Sequence, residues 1–290
     1  MGAPDTLEGM LRIDPHTHSA YSDGTDSPSE LLEAASGEGL DLVGLTDHDT
    51  FAGWAEAEDA VSETGVALLR GAEMSCAADG ITVHLLAYLP DPTDEGLLGC
   101  FARARESRET RARRMVDNLS ADFPITWEQV VSRAPEGGPI GRPHIADALV
   151  AAGVFEDRSR AFSEVLHPRG PYFVHHWALD PVEAVGLVLA AGGVPVLAHP
   201  RARARQRLLP VAIIDEMAEV GLFGIERDHR DHGPADRAEA DAIAKRLRLA
   251  VFGSSDYHGT GKPNRLGENL TDPAVIDEVA ERGRLEVVRP

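Results

Sequence analysis

The chain has 290 residues, of which 43% are hydrophobic, and its formal net charge is −20 at pH 7. The hydrophobic share is ordinary for a globular protein, and the negative charge argues against a surface that binds extended duplex nucleic acid, which needs clustered Lys and Arg. No apolar run reaches the roughly 18 residues that span a bilayer, and the N-terminus lacks the basic and apolar regions of a signal peptide. The sequence therefore predicts a cytoplasmic protein without a membrane partner.

The first part of the chain alternates between short apolar strands and helices. Predicted strands cover residues 11–14, 41–45, 66–70 and 81–88, and predicted helices separate the first three of them. The first helix begins at Ser27-Pro28, where the serine can cap the helix and the proline fits the first helical position, and it ends before Gly39. This order of strands and helices predicts a parallel sheet, either open or closed into a barrel.

Residues 99–177 differ from their surroundings because they form charged helices and contain few strands. Predicted helices cover residues 101–119, 126–133, 144–152 and 160–166. Beyond them the alternation returns, with strands at 194–198, 223–226 and 250–253. We therefore predict one α/β domain formed by residues 1–98 and 178–290, and a small helical insertion domain, residues 99–177, that caps the substrate side of the sheet.

Side chains that can bind metal ions stand at the ends of nearly all predicted strands, where parallel α/β folds carry their reactive groups. In chain order they are His16, His18 and Asp23; Asp47, His48 and Asp49; Glu73; His84; His199; Glu226, Asp228 and His229; Asp256 and His258. Alternate residues of an extended segment point the same way, so His16 and His18 can share one metal ion. Each residue alone is explained as a core or turn residue, but their common placement predicts a metal site.

The ordered set of motifs resembles that of the polymerase and histidinol phosphatase (PHP) superfamily, whose members carry a His-x-His pair, a Thr-Asp-His-Asp segment, a Glu and His pair, a later His and a final Asp-x-His. The matching residues are His16-Thr17-His18, Thr46-Asp47-His48-Asp49, Glu73, His84, His199 and Asp256-Tyr257-His258. The resemblance spans almost the whole chain. It implies an α/β fold, a distorted (β/α)7 barrel with a small helical insertion domain.

The same resemblance implies three divalent metal ions. One ion would be bound by His16, His18, Glu73 and Asp256; a second by Glu73, His84 and His199; and a third by Asp23, His48 and His258. Asp47 would orient a ligand histidine rather than bind metal itself. This mixture of imidazole and carboxylate ligands suits Mn, Zn or Fe.

Within the superfamily, the chain is most similar to a subgroup that carries a helical insertion. That subgroup includes phosphatases of 3′,5′-nucleotide bisphosphates and exonucleases that act on short 5′-phosphorylated oligonucleotides. The segment Gly141-Arg142-Pro143-His144 resembles its phosphate-contacting motif, and His175 resembles another substrate-side position. Arg142 would bind a phosphate, His144 or His175 would protonate the leaving group, and the Arg-rich segment that begins at Arg201 would attract an anionic substrate.

The sequence thus predicts a phosphoesterase in which a hydroxide bridging two metal ions attacks the phosphate monoester of a small nucleotide of the 3′,5′-bisphosphate type. Two alternatives are a 5′-3′ exonuclease on short oligonucleotides and a histidinol phosphate phosphatase. A different class, the metal-dependent amidohydrolases, also carries a His-x-His pair. That class is disfavoured because neither Lys245 nor Lys262 is a plausible carboxylated lysine. A non-catalytic scaffold would lack ligands, and none is missing.

Overall fold

The structure is a computed structural model that describes residues 11–134, 140–167, 170–174 and 177–290. His175, for which the sequence predicts a substrate-side role, lies outside the described residues. Among the described helices, none combines the length and the apolar character needed to cross a membrane.

In the part of the chain that the structure describes, seven strands form one sheet and lie side by side in chain order. They are β1 (Ile13–Thr17), β2 (Leu42–Leu45), β3 (Ala67–Ala78), β4 (Ile81–Tyr88), β5 (Val194–Leu197), β6 (Gly224–Asp228) and β7 (Ala250–Gly253). The two edges of this sheet meet, because Asp256 beyond β7 donates its N–H to His16 O (3.0 Å) and His18 donates its N–H to Tyr257 O (2.8 Å). The predicted barrel of seven strands is therefore confirmed.

Strand β4 runs against both of its neighbours, whereas the other strand pairs are parallel. The prediction of a purely parallel sheet was wrong at this point. The reason is the Asp79-Gly80 turn, in which both residues have positive φ angles, 52° and 72°. Such a turn matches the twist of a hairpin, so β3 continues to Ala78 and folds back directly into β4 without a helix.

Ten helices of the described residues surround this sheet or belong to the insertion. Those between or after the strands are α1 (Pro28–Gly37), α2 (Trp54–Thr64), α7 (Pro181–Ala190), α8 (Val211–Val220), α9 (Pro234–Leu247) and α10 (Pro273–Arg282). The insertion contributes α3 (Glu95–Leu119), α4 (Trp127–Val131), α5 (Arg142–Ala151) and α6 (Arg158–Glu164). As the sequence predicts, Ser27 caps α1, and Glu30 completes the capping box.

Separate buried clusters lie in the barrel and in the insertion. One contains Ile13 of β1, Leu86 of β4 and Phe252 of β7, which come from around the sheet, so it fills the barrel. The long helix α3 belongs to both parts, since Phe101 packs in a barrel cluster and Met115 in the insertion cluster. A rigid helix thereby links the two cores. The predicted domain limits, which cut this helix at residue 99, remain a prediction.

Asp49 fixes α3 to the rim of the barrel. Its Oδ1 accepts the N–H of Ser75 on β3 (2.9 Å), and its Oδ2 accepts a bond from Arg108 on α3. Arg105, one turn earlier, donates to the backbone oxygen of Asp49 (2.6 Å). Asp49 has a φ of 52°, a left-handed conformation that Asp tolerates better than most residues. The insertion is therefore held to the barrel by a buried, hydrogen-bonded ion pair.

We expect Asp49→Ala to lower the free energy of unfolding by about 3 kcal/mol, because removal of one partner leaves the Arg108 guanidinium nearly buried without its counter-ion. Denaturant unfolding of the metal-free protein measures this effect without a contribution from metal binding. Arg160→Ala is the matched control, since it breaks an exposed ion pair with Glu164 and should cost at most about 0.5 kcal/mol. Equal effects of the two substitutions would contradict this role of Asp49.

Candidate metal centre

The candidate ligands converge on one rim of the barrel. His16 lies in β1, Glu73 in β3 and His84 in β4, while the others directly follow β1, β2, β5 or β7. Because β4 is reversed, His84 in its first half pairs with Ser75 and lies at the same rim as the ends of the parallel strands. The structure thus brings together all nine predicted ligands: His16, His18, Asp23, His48, Glu73, His84, His199, Asp256 and His258.

Glu73 lies at the centre of this group and is 1% exposed. Its Oε2 is 3.3 Å from His16 Nε2 and 3.0 Å from His18 Nε2. Its Oε1 faces the other side, 2.7 Å from His84 Nδ1 and 3.2 Å from His199 Nε2. The two carboxylate oxygens therefore contact different sets of histidines, as expected of a residue that bridges two metal ions.

Two further carboxylates complete the group at either side. Asp256 Oδ1 lies 3.6 Å from His16 Nε2 and 3.5 Å from His18 Nε2. Asp23 Oδ1 lies 3.1 Å from His258 Nε2 and 3.8 Å from His48 Nε2. Each carboxylate and its histidines offer donor atoms close enough together to share one ion.

The arrangement of the donor atoms suits metal binding better than it suits hydrogen bonds among these residues. Asp23 Oδ1, His48 Nδ1 and His258 Nε2 are buried, yet none of them forms a hydrogen bond of normal geometry with the described residues. Buried polar atoms are almost always hydrogen-bonded, so close approach without hydrogen-bond geometry is unusual in a core. Converging metal ligands have this arrangement, because each directs a lone pair at a common point.

The electrostatics of the site divide the histidines into two kinds. Burial alone would lower the pKa of His18, but the carboxylates of Asp256 and Glu73 outweigh it and raise that pKa to about 9. Burial lowers the pKa of His199 to about 3 and that of His258 to about 4. His199 and His258 are therefore neutral at pH 7 and present free lone pairs, the form in which imidazole binds metal.

Two candidate ligands have strained backbone conformations. His199 has a φ of 30° and Asp256 a φ of 54°, although neither is glycine. Both follow a buried strand at the rim, where the chain turns sharply into a loop. Residues held in this region cost about 1–3 kcal/mol each and persist where surrounding contacts enforce them, often at functional sites.

Glu226 orients two of the candidate ligands and is fully buried. Its Oε1 accepts a hydrogen bond from His16 Nδ1 (2.8 Å), and its Oε2 accepts one from the backbone N–H of His199 (2.8 Å). Ser254 Oγ donates a third. The bond to Nδ1 leaves Nε2 of His16 free to bind an ion. From the sequence, Glu226 is only a carboxylate at the end of a predicted strand, and it matches no residue of the PHP motifs.

Asp47 organises the loop after β1. Its Oδ1 accepts the N–H of Ser19 (2.8 Å) and the hydroxyl of Ser22, and its Oδ2 accepts the hydroxyl of Ser19. Ser22 Oγ lies 3.4 Å from His18 Nδ1. The contact of Asp47 with a ligand histidine therefore runs through Ser22. Its predicted role in orienting a histidine remains a prediction.

The predicted substrate residues of the insertion lie on α5. Arg142 is half-buried, with its guanidinium 5.5 Å from the ring centres of both Phe162 and Phe173. Burial, together with the charge of Arg108, lowers the pKa of Arg142 to about 10. His144 accepts the N–H of Gly141 at Nδ1 (3.1 Å), so a neutral ring carries its proton on Nε2. The substrate roles of Arg142 and His144 remain predictions.

The Arg-rich segment after β5 contains one side chain that reaches the rim, and it is Arg205 rather than Arg201. The guanidinium of Arg201 is buried against Leu209 O (3.0 Å) and lies 3.7 Å from Glu239. Arg205 donates from Nη2 to Asp256 Oδ2 (3.0 Å). Sequence analysis included Arg205 in the Arg-rich segment but did not single it out, because a run of alternating arginines does not show which one turns inward. The predicted substrate role of Arg201 is supported by none of its described contacts.

Comparisons with known proteins agree with this geometry. Residues 14–121 match the PHP domain family. The chain is 31% identical to a 3′,5′-nucleoside bisphosphate phosphatase of Chromobacterium violaceum, over 97% of this chain and 99% of the relative. It is 32% identical to a 5′-3′ exoribonuclease of Haemophilus influenzae, over 89% and 94% of the two chains. A solved structure from Bifidobacterium adolescentis, assigned as a metal-dependent phosphoesterase, is 45% identical, with a TM-score of 0.92 over 94% of this chain and 96% of the other.

We expect Glu226→Gln to weaken metal binding by about 10- to 100-fold, because the amide can no longer hold His16 and His199 as the carboxylate does. Titration of the metal-free protein with Mn²⁺ against a chelator of known affinity measures the change. Glu278→Gln is the control, since Glu278 is exposed and lines a cavity at the opposite ends of β5 and β7. Unchanged Mn²⁺ affinity in Glu226→Gln would show that Glu226 does not position these ligands.

Proposed function

Because the chain belongs to the PHP family of metal-dependent phosphoesterases, we propose that it hydrolyses a phosphate monoester of a small nucleotide of the 3′,5′-bisphosphate type. The observation that carries the proposal is the arrangement of eight further candidate metal ligands around the buried carboxylate of Glu73, with Arg205 at the same rim. The similarity to a nucleoside bisphosphate phosphatase over nearly the whole of both chains supports the nucleotide part.

Three sets of residues would hold the ions. They are His16, His18, Glu73 and Asp256; Glu73, His84 and His199, with His48 also within reach of Glu73; and Asp23, His48 and His258, with His18 also within reach. Divalent ions bound there supply Lewis-acid charge to the phosphate and lower the pKa of a bound water toward roughly 7. Mn, Zn and Fe all suit this mixture of ring nitrogens and carboxylate oxygens.

Arg142 binds a substrate phosphate in this proposal. The support is the contact of its guanidinium with the rings of Phe162 and Phe173 and its hydrogen bond to Leu166 O (3.3 Å), which limit its rotamers. A fixed guanidinium gives two parallel N–H donors to a phosphate and loses less entropy on binding than a mobile one. On a chain with a net charge of −20, such a local cation also supplies the attraction that the overall surface does not.

His144 or His175 gives the leaving oxygen its proton. For His144 the support is the bond from Gly141 N–H to Nδ1, which leaves Nε2 as the ring nitrogen that can deliver a proton. Burial lowers the pKa of His144, so its protonated ring is a stronger acid than a free imidazolium. Asp23 contributes to the pKa of both His144 and Arg142, which links α5 electrostatically to the Asp23 side of the metal group.

Two alternatives concern the substrate. A 5′-3′ exonuclease on short oligonucleotides would use the same metal group, and the H. influenzae relative bears that name. The strong negative charge of the chain favours the smaller substrate. An amidohydrolase reaction is disfavoured because Glu73 occupies the central position of the metal group, while Lys245 is exposed on α9.

Side-by-side assays of the Mn²⁺-reconstituted protein test the proposal, with 3′-phosphoadenosine 5′-phosphate, a short 5′-phosphorylated RNA and histidinol phosphate as substrates. We expect the bisphosphate to give the highest kcat/KM and to release inorganic phosphate. His16→Ala, purified in parallel, should lose activity on every substrate and so control for contaminating phosphatases. Phosphate release from none of the three would refute the proposal, and preference for the RNA would favour the exonuclease.

A further inference from the structure

Groups of other residues that can donate hydrogen bonds lie near both carboxylate oxygens of Asp256. Its Oδ1 faces the histidines of the metal group, whereas its Oδ2 is approached by side chains from three separate loops. Arg205 Nη2 lies 3.0 Å from Oδ2, Lys262 Nζ 3.2 Å and His229 Nε2 3.5 Å. One carboxylate oxygen is thus surrounded by two cations and an imidazole. We call these three residues, Arg205, Lys262 and His229, the Arg205 cluster.

The positive charges of the Arg205 cluster are balanced only while the carboxylate of Asp256 pairs with them. Arg205 also pairs with Asp231, so two cations face two carboxylates. An ion bound at Oδ1 would draw on the same negative charge, because bound divalent cations are the largest local charges in such sites. Metal loading would therefore leave the cluster with a net positive charge, directly beside the metal group.

The Arg205 cluster has donors to spare and is open to solvent. Arginine carries five N–H donors and lysine three, and the described contacts of Arg205 use only some of them. The side chains of Arg205 and Lys262 are each 32% exposed, while that of Asp256 is 1% exposed. A ligand from solvent can therefore reach the donors of both cations.

His229 adds an independent indication of a ligand. Its ring is fully buried, and Nδ1 accepts the N–H of Asp231 (3.0 Å), which leaves a proton on Nε2 in the neutral ring. That Nε2 points at Asp256 Oδ2 but forms no hydrogen bond of normal geometry with the described residues. A buried N–H without a partner is costly, and a ligand oxygen in the cluster would satisfy it.

The other arginines of the same segment point elsewhere. Arg203 pairs with Asp236 and Glu239 on α9, and Arg207 donates to Asp79 O at the hairpin turn. Among the arginine side chains of the segment, all of which the structure describes, that of Arg205 alone hydrogen-bonds to a candidate metal ligand. The segment therefore does not act as a diffuse patch of positive charge, and its effect on a substrate depends on one guanidinium.

We propose that the Arg205 cluster binds the non-bridging oxygens of the phosphate that undergoes hydrolysis, beside the metal group at Asp256. The inference rests on the proposed function and deepens it, because Arg142 on α5 is then left to bind a second phosphate of the substrate. The two basic sites belong to different parts of the chain, one to the barrel loops and one to the insertion. A substrate with two phosphates, as in a nucleotide bisphosphate, matches that division.

A purely positioning role for Arg205 predicts a different result. If Arg205 only held Asp256 in place, its loss would weaken metal binding. If Arg205 binds phosphate, its loss removes a positive charge near the ions, so metal affinity should stay equal or increase while phosphate affinity falls. The signs of the two effects therefore distinguish the roles.

The test measures binding of inorganic phosphate to the Mn²⁺-loaded protein by calorimetry, together with Mn²⁺ affinity. We expect Arg205→Ala to weaken phosphate binding about tenfold or more, as loss of a charge-assisted hydrogen bond should. Lys262→Met should have an effect in the same direction, and Arg205→Lys should restore part of the affinity. Arg203→Ala, two residues away and paired with α9, is the matched control and should bind phosphate as the unmodified protein does.

Unchanged phosphate affinity in Arg205→Ala would overturn the proposal, as would a loss of Mn²⁺ affinity without a loss of phosphate affinity. Because inorganic phosphate is the probe, this result does not depend on turnover of any nucleotide. If none of the three substrates were hydrolysed, the proposed function would be refuted, but a phosphate site measured by calorimetry would remain valid. Conversely, suppose that the protein hydrolyses its substrate efficiently but Arg205→Ala binds phosphate normally. The proposed function would then stand, and the Arg205 cluster would be rejected as the phosphate site.

Discussion

The buried carboxylate of Glu73 is the constraint on which the rest of the site depends. Burial raises the pKa of such a group, but the surrounding histidines, first among them His84 and His48, hold the pKa of Glu73 well below its usual value. An ionised carboxylate at 1% exposure costs several kcal/mol unless cations or donors compensate it. Histidines in or after β1, β2, β4 and β5 approach this one charge, and metal ions meet the same need.

The barrel makes this convergence possible. Hydrogen bonds between the segments that follow β1 and β7 bring His16 and Asp256 together from the two ends of the chain. The reversed strand β4 then places His84 at the rim from within a hairpin. Asp49 and α3 fix the insertion to the same rim, and the charge of Asp23 in the metal group acts on the pKa of both Arg142 and His144 on α5. His199 and Asp256 have positive φ angles, and the backbone strain at these two residues is part of the free-energy cost of bringing the ligands together.

Strand placement predicted candidate ligands at one rim of an α/β sheet, because strand ends share a rim in such folds, and the resemblance to the PHP superfamily implied the barrel and the set of nine ligands. Three features could not be predicted. The reversal of β4 depends on the left-handed turn at Asp79-Gly80, a local preference that competes with the alternating pattern. The contacts of Glu226 depend on a neighbouring strand. The inward turn of Arg205 depends on tertiary contacts with Asp231 and Asp256, whereas Arg201 is buried against Leu209.

The most direct test of the central claim is anomalous diffraction from crystals of the protein grown with Mn²⁺. If Glu73 bridges two ions, two anomalous peaks should lie about 3.5–4 Å apart on either side of its carboxylate. One peak should adjoin His16, His18 and Asp256, and the other His84 and His199. A single peak at Glu73, or peaks that do not involve its two oxygens, would contradict the account.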